Sequence, residues 1–208
     1  MIQVAATVYP PAGGVAAIWM VVMAEPNLRS ALLVEVPEAE PLVRQWRMDL
    51  DPHAALGVPA HITLLFPFAP PPLISTTILD RLGELLTAVD AFSYNLIETG
   101  WFGDTVLWLA PDPPDPFRSL TRRIGDAFTD YPPYGGRFGE PVPHLTIGNG
   151  GLPEQMKAAE TAVQAGLPIS ATAASVSLLH ELVTGRWQRA ASFPLRRATS
   201  AAQQHRGR

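Results

Sequence analysis

The sequence predicts an α+β fold dominated by antiparallel pairing, and three observations carry that prediction. The 22 prolines and 16 glycines gather between apolar segments and cut the chain into short stretches that alternate between strand and helix patterns. Several successive strand patterns are joined by links too short for a parallel crossover, which needs roughly a dozen residues or more. Finally, 47% hydrophobic and 16% charged residues in a chain of 208, with a mean hydropathy of +0.12, supply apolar surface for a large core and exclude whole-chain disorder.

Residues 1–29 read as an N-terminal extension. The apolar run at residues 12–24 has no Lys or Arg before it and is too short to span a bilayer of about 30 Å. A single domain is expected over residues 30–195. Residues 31–36 (ALLVEV) suit a strand, and residues 38–50 a helix whose first turn tolerates Pro41. A β-branched and aromatic strand follows at residues 61–68 (HITLLFPF), stopped by Pro67 and Pro70. Residues 75–90 place Ile78, Leu79, Leu82, Leu85, Leu86 and Val89 on one helical face. Strands at residues 92–97 and 105–109 meet across a turn at Gly103-Asp104, and a helix at residues 116–128 opens with Asp115 as N-cap. The Gly/Pro-rich residues 131–143 deliver the chain into a strand at 144–147. A helix at 154–165, a strand at 175–182, a turn at Gly185 and a strand at 186–193 complete the domain. Residues 196–208, small, polar and basic, read as a disordered tail with solvated arginines.

The absence of cysteine excludes disulfides, thiolate nucleophiles and every cysteine-bearing metal site, and fits a cytoplasmic location. With a formal charge of −4 and a pI near 5.7, no overall positive field draws the chain onto nucleic acid or anionic lipid. A phosphate would have to be met locally, and a small substrate is favoured over long RNA.

A short internal echo carries the chemistry. VPAHITL (residues 58–64) and VPHLTI (residues 142–147) each set a proline just ahead of His-apolar-Thr-apolar, with the histidines 83 positions apart. At the start of a strand, side chains two apart share a face. His61 with Thr63, and His144 with Thr146, would each present an imidazole beside a hydroxyl, while Ile62 and Leu145 turn into a core. If two lobes were related by a pseudo-two-fold axis, the pairs could face each other across one cleft. Of two histidines in one site, one can be neutral and accept a proton while the other is cationic and donates one. Threonine hydroxyls between them suit a phosphodiester better than a carbonyl. A carbonyl site would also need a nucleophile, and the chain has neither a Gly-x-Ser-x-Gly elbow nor a cysteine. Neither His-Glu-x-x-His nor a Walker-type loop is present, so the residues point to metal-free phosphoester chemistry.

Two His-x-Thr motifs on strands resemble the signature of the 2H phosphoesterase superfamily, also called the 2′-5′ RNA ligase-like or cyclic phosphodiesterase family. The resemblance runs from about residue 31 to 195. It includes GWFGDTVLWLAP (residues 100–111), PPYGGRFGEPVPHLTIG (132–148) and a closing hairpin at 175–195. It implies a bilobal fold of two pseudo-symmetric lobes of largely antiparallel sheet, with helices packed outside and a central cleft. It also implies no obligatory metal and no cofactor, and action on 2′,3′-cyclic phosphates or 2′-5′ linkages of a nucleotide or RNA end. Carried across, His61 and His144 would be the acid–base pair and Thr63 and Thr146 the phosphate-binding hydroxyls. Which histidine is acid and which base is left open.

Around these four, Phe66, Trp101, Phe102, Tyr134 and Phe138 could stack on a nucleobase or belong to the core. Phe66, Tyr134 and Phe138 are the candidate substrate contacts. Arg137, in the glycine-rich loop, could pair with a phosphate or face water. His180 reads as structural, and His53 and His205 have no specific role assigned. The rival readings are a module that grips RNA termini or nucleotides without cleaving them, and a hydrolase using His61 and His144 as metal ligands. Neither a membrane nor a second subunit is expected as partner.

Overall fold

The computed structural model describes residues 28–136 and 141–197. The expectations for residues 1–27, 137–140 and 198–208 lie outside the described residues, and with them Arg137, Phe138 and His205. Two four-stranded antiparallel sheets are present, confirming the α+β class. The first has the order β2-β1-β7-β8, from β1 (Ser30–Glu35), β2 (His61–Leu65), β7 (Ser175–Glu181) and β8 (Trp187–Pro194). The second has the order β5-β4-β3-β6, from β3 (Phe92–Phe102), β4 (Val106–Asp112), β5 (Leu145–Asn149) and β6 (Ile169–Ala173). The lobes correspond strand for strand. In each, the His-x-Thr segment opens or enters an edge strand, β2 or β5. The neighbouring strand, β1 or β4, precedes it in the chain and reaches it through a helix.

The helices form where the apolar spacing is helical. On α4 (Asp115–Ala127), Phe117, Leu120 and Ile124 fall three and four apart and are fully buried. On α3 (Thr76–Thr87), Leu82 and Leu86 do the same, and the Ser75 hydroxyl accepts from Ile78 N at 3.4 Å as the N-cap. On α1 (Glu40–Leu50), Val43, Arg47 and Leu50 form the inner face. The helices are exchanged between the lobes. α1, which links the strands of the first sheet, packs on β5 of the second together with α5 (Pro153–Gln164), whereas α4, from the second lobe, packs on β2 of the first. Gly148 on β5 permits this close approach, because a Cβ there would collide with Met156 of α5 and Leu50 of α1. One continuous core results, joining Leu32, Val34 and Ile62 of the first sheet to Leu107, Leu109 and Ile147 of the second. Each such side chain contributes about 1.5–3 kcal/mol on burial.

Several boundaries differ from the sequence expectation for identifiable reasons. The helix expected from residue 38 begins as a 3₁₀ turn, Pro37–Ala39, before α1 starts at Glu40. A four-residue helix α2 (Pro52–Ala55) follows it, capped by Asp51. β3 continues five residues past Ile97, because β4 supplies partners through Phe102 across a bulge between Leu96 and Glu98. β6 was not expected; its sequence, ISATA, alternates apolar and polar residues, but its buried positions are the small Ala171 and Ala173, weak strand formers, and pairing with β3 makes it a strand. Asp115 is the first helical residue of α4 rather than its cap, which is Pro114, and its carboxylate accepts from Arg118 at 3.0 Å. Two arginines assigned to the flanking segments are tied to the domain: Arg29 pairs with Glu181, and Arg196 with Asp90. Among the described residues, no helix is long and apolar enough to cross a membrane.

Candidate active site

The two motifs meet. β2 and β5 are neighbours across the seam between the lobes, and one cleft of about 180 Å³ is lined by His61 and Thr63 from β2 and by Thr146 and Asn149 from β5. His144 stands immediately before β5, close enough that its charge bears on His61. The intervening Ile62 and Leu145 are fully buried on the opposite faces, as strand alternation requires.

Both imidazoles are held in the same way. His61 Nδ1 lies 2.8 Å from the carbonyl oxygen of Pro59, and His144 Nδ1 lies 2.7 Å from that of Val142, each two residues upstream. A carbonyl can only accept, so Nδ1 carries the proton in each ring, and Nε2 is left free to take or give one. The prolines shape both approaches: Pro59 supplies the anchoring carbonyl in the first motif, and Pro143 follows it in the second.

The electrostatics separate the two rings. Burial in the cleft lowers the pKa of His61 from 6.5 to about 4, reinforced by the guanidinium of Arg47, with the Pro59 carbonyl pulling the other way. Burial also lowers that of His144, opposed by the carbonyl of Val142, and no cationic side chain adds to the effect. Arg47 is itself buried behind His61. It donates to Asp51 Oδ2 at 2.9 Å and to the carbonyl of Val58 at 3.3 Å, so it also braces the entry to the first motif.

An aromatic platform supports His144. Phe102 stacks on Trp108 with centroids 5.0 Å apart at 29°, and meets the His144 ring edge-on at 4.9 Å. Trp108 in turn lies over Gly100, its cross-strand partner on β3, where any Cβ would run into the indole.

The structure sorts the remaining candidates. Phe66 lines the cleft. Tyr134 falls in the 3₁₀ turn Pro133–Gly136. Trp101 faces away from the cleft: its Nε1 donates to Glu160 on α5 at 2.7 Å, and Lys157 lies over its ring. His180 sits half-buried on β7, paired in register with Ser30 and Gln188. Sequence reasoning missed Trp187, Asn149 and Asp51, all in the cleft wall, and it dismissed His53, which also lines the cleft. Asn149, three residues beyond Thr146, was the one with a local signal. Asp51 and Trp187 reach the site only through tertiary packing. Among the described residues, no group of three or more His, Cys, Asp or Glu side chains is gathered where it could hold a metal ion.

Two lobes of antiparallel sheet meeting at paired His-x-Thr strands define the architecture of the 2H phosphoesterases. The sequence model of the 2′-5′ RNA ligase superfamily matches residues 35–185, and the chain belongs to that superfamily. Solved structures share the fold. Escherichia coli LigT, determined in complex with NADP+, is 18% identical with a TM-score of 0.53, over 82% of this chain and 98% of that one. A protein described as a phosphoesterase is 18% identical with a TM-score of 0.50, over 82% of this chain and 99% of its own. TT0787 of Thermus thermophilus is 17% identical with a TM-score of 0.51, over 82% of this chain and all of its own. No sequence among curated proteins matches the chain.

Proposed function

We propose that this protein is a metal-independent phosphoesterase that hydrolyses a 2′,3′-cyclic or 2′-5′ phosphodiester of a nucleotide or RNA end. The observation that carries the reading is the matched anchoring of His61 and His144. Each Nδ1 proton is held by a carbonyl two residues upstream, which leaves each Nε2 to exchange a proton, and Thr63 and Thr146 line the same cleft. The phosphate lies between the imidazoles, with its non-bridging oxygens accepting from the hydroxyls of Thr63 and Thr146. His61, whose neutral form is the more strongly favoured, takes a proton from water as the water oxygen attacks phosphorus in line. His144 gives its proton to the departing ribose oxygen as the P–O bond breaks. The products are a phosphomonoester and a free ribose hydroxyl, and the exchanged protonation states reset through solvent.

The test is turnover of nucleoside 2′,3′-cyclic phosphates and a 2′-5′ dinucleotide by the wild type, H61A and H144A, with and without chelator. Loss of either histidine is expected to cost about 10²–10⁴ in rate while the thermal transition persists, and chelator is expected to change nothing. Near-normal turnover by either variant would overturn the acid–base assignment. Loss of activity in chelator would replace it with metal-assisted chemistry.

A further inference from the structure

The cleft continues past the phosphate-handling residues into an apolar end. Leu33 of β1 and Leu179 of β7 share the face of the first sheet that carries Thr63, and Val58, Phe66 and Trp187 close the wall. The rings of Phe66 and Trp187 stand 6.2 Å apart at 57°, and the guanidinium of Arg29, held by Glu181, covers both at 5.6 and 5.7 Å. The whole cleft, polar end included, measures about 180 Å³, and apolar protein cavities of about 150 Å³ accept a benzene ring, so the apolar end has room for no more than one flat ring.

A titratable side chain that the proton-transfer scheme does not use lines this same cleft. His53 is fixed from behind: its backbone N donates to Asp51 Oδ1 at 3.1 Å, and its ring Nδ1 stands 3.4 Å from the same oxygen. Asp51 is only 3% exposed, and its other oxygen is taken by Arg47, itself 2% exposed. The carboxylate therefore cannot turn away. Nδ1 is the edge of the imidazole committed to it, which leaves Nε2 as the hydrogen-bonding edge for a ligand. An apolar chamber with one or two fixed polar groups is the usual design of a small-molecule site, where the walls supply affinity and the polar group reads the ligand's orientation.

We infer that this end of the cleft is a nucleobase subsite, in which His53, positioned by Asp51, hydrogen-bonds the edge of a single heterocyclic base seated against Leu33, Leu179 and the Phe66–Trp187 wall. This deepens the phosphoesterase reading and rests on it: the substrate is a nucleoside carrying its diester on the ribose adjacent to that base. His53 is then a specificity-determining residue, with no part in proton transfer.

Equilibrium binding of nucleoside 2′-phosphates, ribose 2-phosphate and inorganic phosphate to the wild type, H53A and H53Q tests the inference without requiring turnover. The wild type should bind at least one nucleoside 2′-phosphate ten-fold or more tighter than ribose 2-phosphate. H53A should lose most of that margin with ribose 2-phosphate unaffected, and H53Q, which keeps a hydrogen-bonding end, should recover part of it. Equal affinity for base-bearing and base-free ligands in the wild type would overturn the subsite. So would H53A weakening both ligands equally with an unchanged melting temperature. Failure of the phosphoesterase reading looks different: base-dependent binding would remain, with no turnover of any cyclic or 2′-5′ diester.

Discussion

His61 and His144 share an anchoring scheme but not an environment, and the difference sets a pH window. The protonated form of His61 is disfavoured down to about pH 4, whereas His144 is lowered from 6.5 by burial without a neighbouring guanidinium. Reaction from the free enzyme needs His61 neutral and His144 protonated. The kcat/KM profile should therefore be bell-shaped with its maximum between about pH 4 and 6.5, falling on the alkaline side as His144 loses its proton. A maximum above pH 7 would contradict the assignment. Folding stability runs the opposite way across this window. An unfolded histidine takes up its proton near 6.5, so the unfolded chain binds more protons than the fold between 6.5 and about 4, and stability is lost as pH falls through that range. Replacing His61 by Gln should flatten the drop in melting temperature between pH 7 and 5, measured by thermal denaturation. An anion between the rings favours their charged forms, so binding of a nucleoside 2′-phosphate at neutral pH should be accompanied by proton uptake. Titration calorimetry in buffers of different ionisation enthalpy would detect it.

Among the elements, the β3–β4 hairpin does the most to place a functional group without supplying one of the four motif side chains. Gly100 on β3 makes room for Trp108, which carries Phe102, which meets His144. Gly100→Ala should force the indole out of place, at the cost of about 1–3 kcal/mol typical of overpacking. Its melting temperature should fall, and kcat should fall with it; an unchanged kcat would show that the platform does not position His144. Little of this was legible in the sequence. The His-x-Thr pairs could be read because strand alternation acts over two residues, and the helical faces of α3 and α4 because their spacing is local. Gly100 carried no signal, because what it accommodates arrives from another strand. His53 had no role assigned, and Asp51 none considered, for the same reason: their meaning comes from Arg47 one helical turn earlier and from a cleft assembled by both sheets. β6 was overlooked because its alternation is short and its inward residues are two alanines, which only pairing with β3 makes into a strand.

At the scale of the whole molecule, the exchange of helices ties the lobes into one cooperative unit. α1 leaves the first sheet to cover β5, and α4 leaves the second to cover β2, so the main core is shared by both sheets, and only a small cluster around Leu33, Leu179 and Trp187 belongs to the first sheet alone. Leu109→Ala, at a fully buried position on β4, should cost about 2–5 kcal/mol. Chains keeping only Trp108 or only Trp187 report on the two sheets separately. Both should unfold in coincident transitions that L109A shifts together, and separated midpoints would show that the lobes unfold independently. The same arrangement guards a hazard. β2 and β5 are both border strands, each with a row of backbone amides and carbonyls unclaimed by its own sheet, and each is shielded by lying along the other lobe. Half of this chain, made alone, would carry a bare adhesive rim open to strands of its own kind, and self-association toward fibres is the fate such a rim invites.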